Sequence, residues 1–223
     1  MQNFATTAAI VTVLDIPAGR IRLIAADRAD ATVEVLPVDA TKSRDVKAAE
    51  RVTVDFADGV LRIGAAPAKN RVLGNSGSVE VTVQLPAGSR VEAKTAAAEL
   101  RGVGRLGDVT FEGAQGTVKL DETASAHLAL QSGDITVGRL GGAAEISTQQ
   151  GDITITEAHT GTVTLSTAAG NLTIGAARGV SATLNAATTH GRIDNALKNT
   201  DGADAALTIH ATTAAGDITA RSL

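Results

Sequence analysis

The chain of 223 residues contains no Cys, no Trp and no Tyr, and only three Phe, four Pro and one Met. The absence of Cys excludes disulfides, thiolate catalysis and zinc sites built on cysteine. Aromatic residues make up 1% of the chain, which leaves too few rings to stack nucleic-acid bases or to line a sugar-binding groove. The core must therefore be built from small and β-branched side chains, which suit thin and regular sheets.

Neither sign of charge is in large excess, because 20 Lys and Arg stand against 24 Asp and Glu. The chain lacks the basic run that would neutralise phosphates, so we expect no nucleic-acid partner. No stretch approaches the roughly 18 apolar residues that would span a bilayer. The first residues, MQNFATTAAIVTV, lack the basic region and long apolar run of a signal peptide. We therefore expect no membrane span and a cytoplasmic location.

One short motif recurs in the second half of the chain: Gly, usually Asp, an aliphatic residue, Thr and a further apolar residue. Its copies begin at Gly107, Gly133, Gly151, Gly170, Gly191 and Gly216. A second strand-like segment lies between copies, and glycines 151, 161, 170 and 179 follow one another at intervals of nine or ten residues. A strand of about five residues plus a turn fills that interval, so one coil takes about 19 residues.

Alternation within the motif predicts which side chains face the core. In Gly151–Ile155, Ile153 and Ile155 point to one side and Thr154 points to the other. Repeated through a stack, the aliphatic residues form inward ladders and the Thr residues form an outward ladder. A single coil cannot bury its apolar face, so several coils must stack. The predicted fold is all-β, a β-solenoid of single-stranded, β-helix-like coils.

The first half of the chain has alternating strands without that period. Its two turns, Ile16–Gly19 and Leu85–Gly88, resemble each other, and each is followed by another strand. We predict a less regular N-terminal β region, residues 1–105, that caps a repeat solenoid, residues 106–223. The alternative is one continuous domain, in which the N-terminal strands belong to the same coil with long insertions.

Very little helix is expected. The charged segment Thr41–Glu50 is predicted to be a solvated loop in preference to one or two helical turns. The segment Ala65–Gly77 is predicted to be a mobile loop, because Gly, Asn and Pro interrupt it.

The strand and turn from Ser78 to Ser89, SVEVTVQLPAGS, lead into the repeated Gly-Asp-Ile-Thr-Ile coils. This combination resembles the bacterial putative-adhesin family of β-solenoid proteins, known as DUF4097. The resemblance implies a solenoid with an adhesion-type role, and it implies no catalytic residues. The sequence departs from the repeat at Val91–Glu99, and the copy at Gly191 is degraded.

The acidic position of the motif raises the question of a calcium ladder. Its members are Asp108, Asp134, Asp152, Asn171 and Asp217. A calcium-binding β-roll needs Gly-Gly-x-Gly-x-Asp repeats with several oxygen ligands for each ion. Here each coil offers one carboxylate, and Asn171 and Arg192 interrupt the series. We therefore interpret these residues as turn-forming side chains that bond their own backbone.

Other chemistry-bearing residues do not assemble into a site. The four His, at positions 127, 159, 190 and 210, have no metal-ligand spacing and are predicted to be surface turn residues. Asp121 and Glu122 point to opposite faces of a strand, so they do not form the carboxylate pair of a glycosidase. Gly102–Gly107 matches the letters of a dinucleotide-binding loop, but no helix follows it. The sequence assigns no catalytic, cofactor-binding or metal-binding residue and no cofactor.

These observations predict a non-enzymatic interaction module that presents its solenoid surface to a protein partner or to itself. We expect a homo-oligomer, because a solenoid end exposes unpaired strand edges and the C-terminal coil ends abruptly near Leu223. The alternative is a carbohydrate-binding or carbohydrate-active β-helix with a groove beside the loops at Thr41–Glu50 and Ala65–Gly77.

Overall fold

The computed structural model describes residues 1–65 and 77–223, and in that part the chain is almost entirely strand. The predicted loop at Ala65–Gly77 falls on residues 66–76 and so lies outside the described residues. The strands are β1 (Gln2–Ala5), β2 (Val11–Ala26), β3 (Asp30–Pro37), β4 (Val52–Ala57), β5 (Val60–Ala65), β6 (Val79–Pro86), β7 (Arg90–Gln115), β8 (Val118–Ser132), β9 (Ile135–Leu140), β10 (Ala144–Gln150), β11 (Ile153–Ala158), β12 (Gly161–Ala169), β13 (Leu172–Ala176), β14 (Ala182–His190), β15 (Ile193–Ala196), β16 (Leu207–Ala215) and β17 (Ile218–Ser222). The helix α1 is Ser43–Glu50, and a short 3-10 turn is Gly202–Asp204.

Each coil contributes one strand to each of two parallel ladders. The first ladder contains the second half of β8, then β10, β12, β16 and β14. The second ladder contains the first half of β8, then β9, β11, β13, β17 and β15. In the second ladder Val118 pairs with Ile135, Ile135 with Ile153 and Ile153 with Leu172, so successive coils are offset by 17, 18 and 19 residues. The predicted solenoid of coils of about 19 residues is confirmed.

The predicted inward and outward ladders are also confirmed. Ile153 and Ile155 are fully buried, whereas Thr154 lies on the outer face between Thr136 and Thr173 of the neighbouring coils. The aliphatic residues of all the coils form one continuous core between the two ladders. Because neighbouring coils place equivalent side chains about 4.8 Å apart, each inward residue packs on its counterparts above and below.

The order of the coils in the stack differs from their order in the chain. β16 pairs with β12 on one side and with β14 on the other, and β17 lies in the same way between β13 and β15. The C-terminal coil is therefore inside the stack, and the earlier coil β14–β15 is outermost. The expectation that the coil near Leu223 forms the open end is wrong. After β13 the chain skips one position in the stack and forms the coil β14–β15 beyond it. Residues 197–206 then lead back, so that β16–β17 fill the skipped position.

The outermost position explains the degraded copy of the motif at Gly191. All four residues of β15 are exposed, and Ile193 is 45% exposed although its partner Ile218 is fully buried. Asn195 stands beside Ala220 at a position that is apolar in the inner coils. Terminal coils of solenoids tolerate polar residues because one side has no neighbouring coil to pack against.

A column of glycines lines one corner of the stack. Gly151 has φ +141°, and a Cβ there would overlap the carbonyl oxygen of Gly133 in the preceding coil. The same relation joins Gly170 to Gly151 and Gly216 to Gly170. Glycine recurs in the motif because this corner brings two backbones closer than any side chain allows.

The N-terminal strands continue both ladders. β2 pairs in parallel with β7 over Val11–Ile24 and Arg90–Val103, and β5 and β6 pair in parallel with the other edge of β2. Antiparallel strands complete this end of the stack: β4 on β5, β3 on β6, and β1 on β3. β7 runs without interruption through positions 105 and 106, and the division into two domains stays a prediction.

The segment predicted to be a loop at Thr41–Glu50 contains the helix α1, so that prediction is wrong. Hydrogen bonds from the Thr41 hydroxyl, the Thr41 amide and the Lys42 side chain lower the pKa of Asp39 to about 2, just before the helix. Asp45 is buried and accepts a hydrogen bond from the amide of Ser78 at 3.0 Å. Asp45 and Ser78 are 33 residues apart in the sequence, so no local pattern predicts this contact.

Among the described residues no helix is long and apolar enough to cross a membrane.

One inward position carries a hydroxyl instead of an aliphatic group. Thr12 is 0% exposed between Leu61 and Val91, and its Oγ1 has no hydrogen-bond partner among the described residues. We expect Thr12→Val to raise the free energy of unfolding by about 1–2 kcal/mol, since it removes an unsatisfied buried polar atom. Chemical denaturation would measure the change. Thr123→Val is the control and should destabilise, because that buried hydroxyl donates to the Gly107 carbonyl at 2.7 Å. A Thr12→Val protein no more stable than the parent would contradict the expectation.

Candidate functional site

The acidic residues of the motif form a chain of hydrogen bonds from coil to coil. Asp134 accepts the amide of Asp152 at 2.9 Å, and Asp152 accepts the amide of Asn171 at 2.7 Å. The side-chain Oδ1 of Asn171 accepts the amide of Asp217 at 2.9 Å, and Asp217 accepts the amide of Arg192 at 2.8 Å. The prediction that each side chain bonds the backbone of its own turn is wrong, because the partners lie in the next coil.

Asn171 has a specific place in this chain. It lies between Asp152 and Asp217 in space, and its Nδ2 is 3.3 Å from Asp152 Oδ1, to which it donates. An amide can donate to one neighbour and accept from the other, which a third carboxylate could not do. Asn171 thus separates two carboxylates in adjacent coils, and Arg192 ends the series at the outermost coil.

Asp108 does not belong to this chain. It lies in the first ladder beside Ser125, whose hydroxyl donates to Asp108 Oδ1 at 2.6 Å. The segment that precedes Gly133 by one coil is Gly116–Leu120, because Val118 pairs with Ile135. The copy of the motif at Gly107 therefore lies in the first ladder, whereas the copies at Gly133 and Gly151 lie in the second ladder. Within the described part of the chain no group of three or more His, Cys, Asp or Glu could hold a metal ion.

The four histidines are not brought together. His127 Nδ1 is 3.5 Å from Glu145 Oε2 in the first ladder, and His159 Nε2 is 3.4 Å from Glu157 Oε1. His159 precedes β12 and His190 ends β14, so these two lie at opposite corners of the stack. The fourth, at position 210, is half-buried in β16.

Asp121 and Glu122 face separate cations. Asp121 Oδ1 is 2.7 Å from Arg101 Nη2, and Glu122 Oε2 is 3.9 Å from Arg139 Nη1. Both carboxylates lie on the outer face, between the buried Leu120 and Thr123, so the prediction that they point to opposite faces of the strand is wrong.

Two shallow depressions lie on the surface. One, of about 330 Å³, includes Arg20, Glu99 and Ser78 among its lining residues, and the Ser78 amide bonds Asp45 of α1. The other, of about 370 Å³, lies on the outer face of the first ladder. It is lined in part by Asp108, Ser125, His127 and Glu145. The Ser125 hydroxyl donates its hydrogen to Asp108, so in this structure that hydrogen is not shared with His127 as a nucleophile–base pair requires.

The outermost coil, β14–β15, presents an open strand edge. The amide of Leu207 in β16 donates to Ser181, and the amide of Ala182 donates to Lys198 in the returning segment. Backbone groups alternate along a strand, so alternate amides and carbonyls of β14 from Leu184 to His190 point away from β16. No strand of the described chain lies on that side of β14.

The comparisons with known proteins found one family model and several solved structures of low sequence identity. The family model Toastrack DUF4097 matches residues 13–222. A putative adhesin from Bacteroides fragilis is 13% identical with a TM-score of 0.49, covering 98% of this chain and 95% of that chain. A putative adhesin from Parabacteroides distasonis is 16% identical with a TM-score of 0.45, covering 100% and 95%. A putative cell adhesion protein from Clostridium sporogenes is 12% identical with a TM-score of 0.41, covering 100% and 98%.

No curated protein matches the chain in sequence. The family model nevertheless spans nearly the whole length, from β2 to the last strand. The strand and turn at Ser78–Ser89 and the Gly-Asp-Ile-Thr-Ile coils, on which the resemblance rested, both lie within the matched residues. The chain therefore belongs to the Toastrack DUF4097 family.

Proposed function

We propose that this chain is a non-catalytic interaction module that associates end to end with a second copy through the open coil β14–β15. The observation that supports the proposal is the unpaired edge of β14. An exposed row of amides and carbonyls is a template for pairing with a strand of another chain. The free stretch from Leu184 to His190 is long enough for several such hydrogen bonds.

The apolar ladder also stops abruptly at this end. Ile193 continues the inward ladder of Ile218 and Leu172, and it is partly exposed because no further coil covers it. A second copy placed against the coil would cover Ile193 and extend the core across the contact. Burial of apolar area would then add to the hydrogen bonds of the edge.

The occupant we favour is a like end of a second molecule. The opposite end of the stack carries antiparallel strands, whose outermost members β1 and β4 have only four and six residues. β14 can pair with its own copy in antiparallel orientation about a two-fold axis. Such an isologous contact closes on itself and produces a dimer rather than a filament.

Light scattering tests this proposal directly. We expect the purified chain to reach twice the 22.4 kDa mass of one chain as concentration rises. The variant Ala186→Pro with Ile193→Lys should stay monomeric, because proline removes an outward amide and a lysine at an edge repels a partner strand. Thr154→Lys adds the same charge on an inner coil and should still dimerise.

Two results would overturn the proposal. One is a monomeric parent chain at high concentration, and the other is a dimer that survives both edge substitutions. Circular dichroism of the edge variant would show that its coils remain folded.

The alternative proposal is carbohydrate binding beside the helix α1. The depression lined by Arg20, Glu99 and Ser78 supports it by its position. Its described lining residues include a single carboxylate, whereas glycoside hydrolysis uses two. We therefore favour the interaction module.

A further inference from the structure

Charged residues on the outer face of the second ladder form columns that run along the stack. In one column Arg20 lies between Glu80 and Glu99, and its Nε is 3.7 Å from Glu99 Oε2. In another column the signs alternate over four strands, in the order Arg105, Glu122, Arg139 and Glu157. Opposite charges on neighbouring strands stabilise a sheet, so these columns follow the expected rule.

The column between them breaks this rule. Arg22 pairs with Arg101, and Arg101 pairs with Lys119, so three cations occupy adjacent strands. Strand spacing places their backbones about 4.8 Å apart, and like charges directly opposite one another are destabilising. The column continues with Thr82 on one side and Thr136 on the other. Thr at this position is therefore compatible with the sheet.

Within the part of the chain that the structure describes, only the central cation of the three has a carboxylate partner. Arg101 Nη2 is 2.7 Å from Asp121 Oδ1, and its Nη1 donates to the Lys119 carbonyl at 3.4 Å. Among the described residues Arg22 and Lys119 have no carboxylate within 4.0 Å, and both are exposed. Two free cations thus flank an oriented guanidinium on a flat face. Sites where a local rule fails without compensation inside the fold are where function is expected.

We propose that the cationic column Arg22–Arg101–Lys119 binds an acidic polypeptide segment, whose carboxylates reach Arg22 and Lys119. Carboxylates on a ligand would supply the counter-charge that the fold omits. Glu99 and Asp121 flank the column, so the face suits discrete carboxylates better than the uniformly negative surface of a membrane. The column lies several coils from β14–β15, and it rests on observations independent of the proposed dimer.

Poly-L-glutamate is the probe for this proposal. We expect it to bind the full chain at low salt and to lose affinity as salt is raised. The variant Arg22→Thr with Lys119→Thr should bind about tenfold more weakly, since two exposed charge contacts are lost. Lys42→Thr with Lys94→Thr is the matched control. It removes the same net charge from lysines already paired with Asp39 and Glu112, and its affinity should change less than twofold.

Several outcomes would overturn the proposal. These are unchanged binding in the Arg22/Lys119 variant, equal weakening in both variants, and binding to vesicles of anionic phospholipid without binding to poly-L-glutamate. A second readout needs no ligand. Removing the repulsion should raise the Tm of the Arg22/Lys119 variant at low salt above that of the parent chain, and a lower Tm would contradict the premise.

Discussion

Removal of residues 207–223 is expected to abolish the cooperative unfolding of the whole stack. These residues form β16 and β17, which lie between two other coils in both ladders. The truncated chain would lose one of the two partner strands of β12 and of β13, as well as every parallel partner of β14 and β15. Thermal unfolding followed by circular dichroism would measure the loss.

The expected size of this effect follows from the apolar side chains removed. Leu207, Ile209 and Ile218 are fully buried. Each buried side chain of this kind stabilises the fold by about 1.5–3 kcal/mol. Their sum, about 5–9 kcal/mol, is comparable with the whole stability of a typical domain.

A deletion of residues 178–205 is the matched control for the truncation. It removes the outermost coil and its returning segment, and joins Ala177 to Ala206. The resulting two-residue link between Ala176 and Leu207 has the length of the turn between Ala158 and Gly161 in the preceding coil. This larger deletion should leave a folded stack with a cooperative transition. A stable truncated chain, or an unfolded chain with the internal deletion, would contradict the coil order.

Gly151→Ala is expected to lower the free energy of unfolding by about 2–5 kcal/mol. A residue with a Cβ is strained at φ +141°, and the added carbon would overlap the carbonyl oxygen of Gly133. Left-handed backbone costs about 1–2 kcal/mol, and overpacking typically costs about 1–3 kcal/mol more. The glycines above and below form the same contact, so the coil cannot shift to relieve the overlap.

Gly179→Ala separates the two causes. Gly179 also has a positive φ, +78°, but a Cβ there would meet nothing within 4 Å. This control should therefore lose only the conformational part, about 1–2 kcal/mol. Urea denaturation of both variants would provide the comparison. Equal losses at Gly151 and Gly179 would show that the close approach of coils contributes nothing.

Local sequence patterns were sufficient to predict the coil. Ile153, Thr154 and Ile155 alternate at a period of two, and this alternation alone predicts which side faces the core. The sequence did not predict the helix α1, because a short charged segment is a weak local signal for helix. Its buried Asp45 has its partner at Ser78, far along the chain. The role of Asp152 was predicted as structural, but its partner was placed in the wrong coil.

The sequence by itself determined the family, the all-β solenoid, the coil length and the inward and outward faces, since these depend on residues close together in the chain. Only the tertiary structure decided which coils are neighbours. Strand pairing depends on distance in space, and the returning segment after β15 places β16–β17 between two coils that come earlier in the chain. The open edge at β14 and the cationic column at Arg22, Arg101 and Lys119 follow from that stacking. The cationic column joins residues that are up to 97 positions apart in the sequence, so no local pattern predicts it.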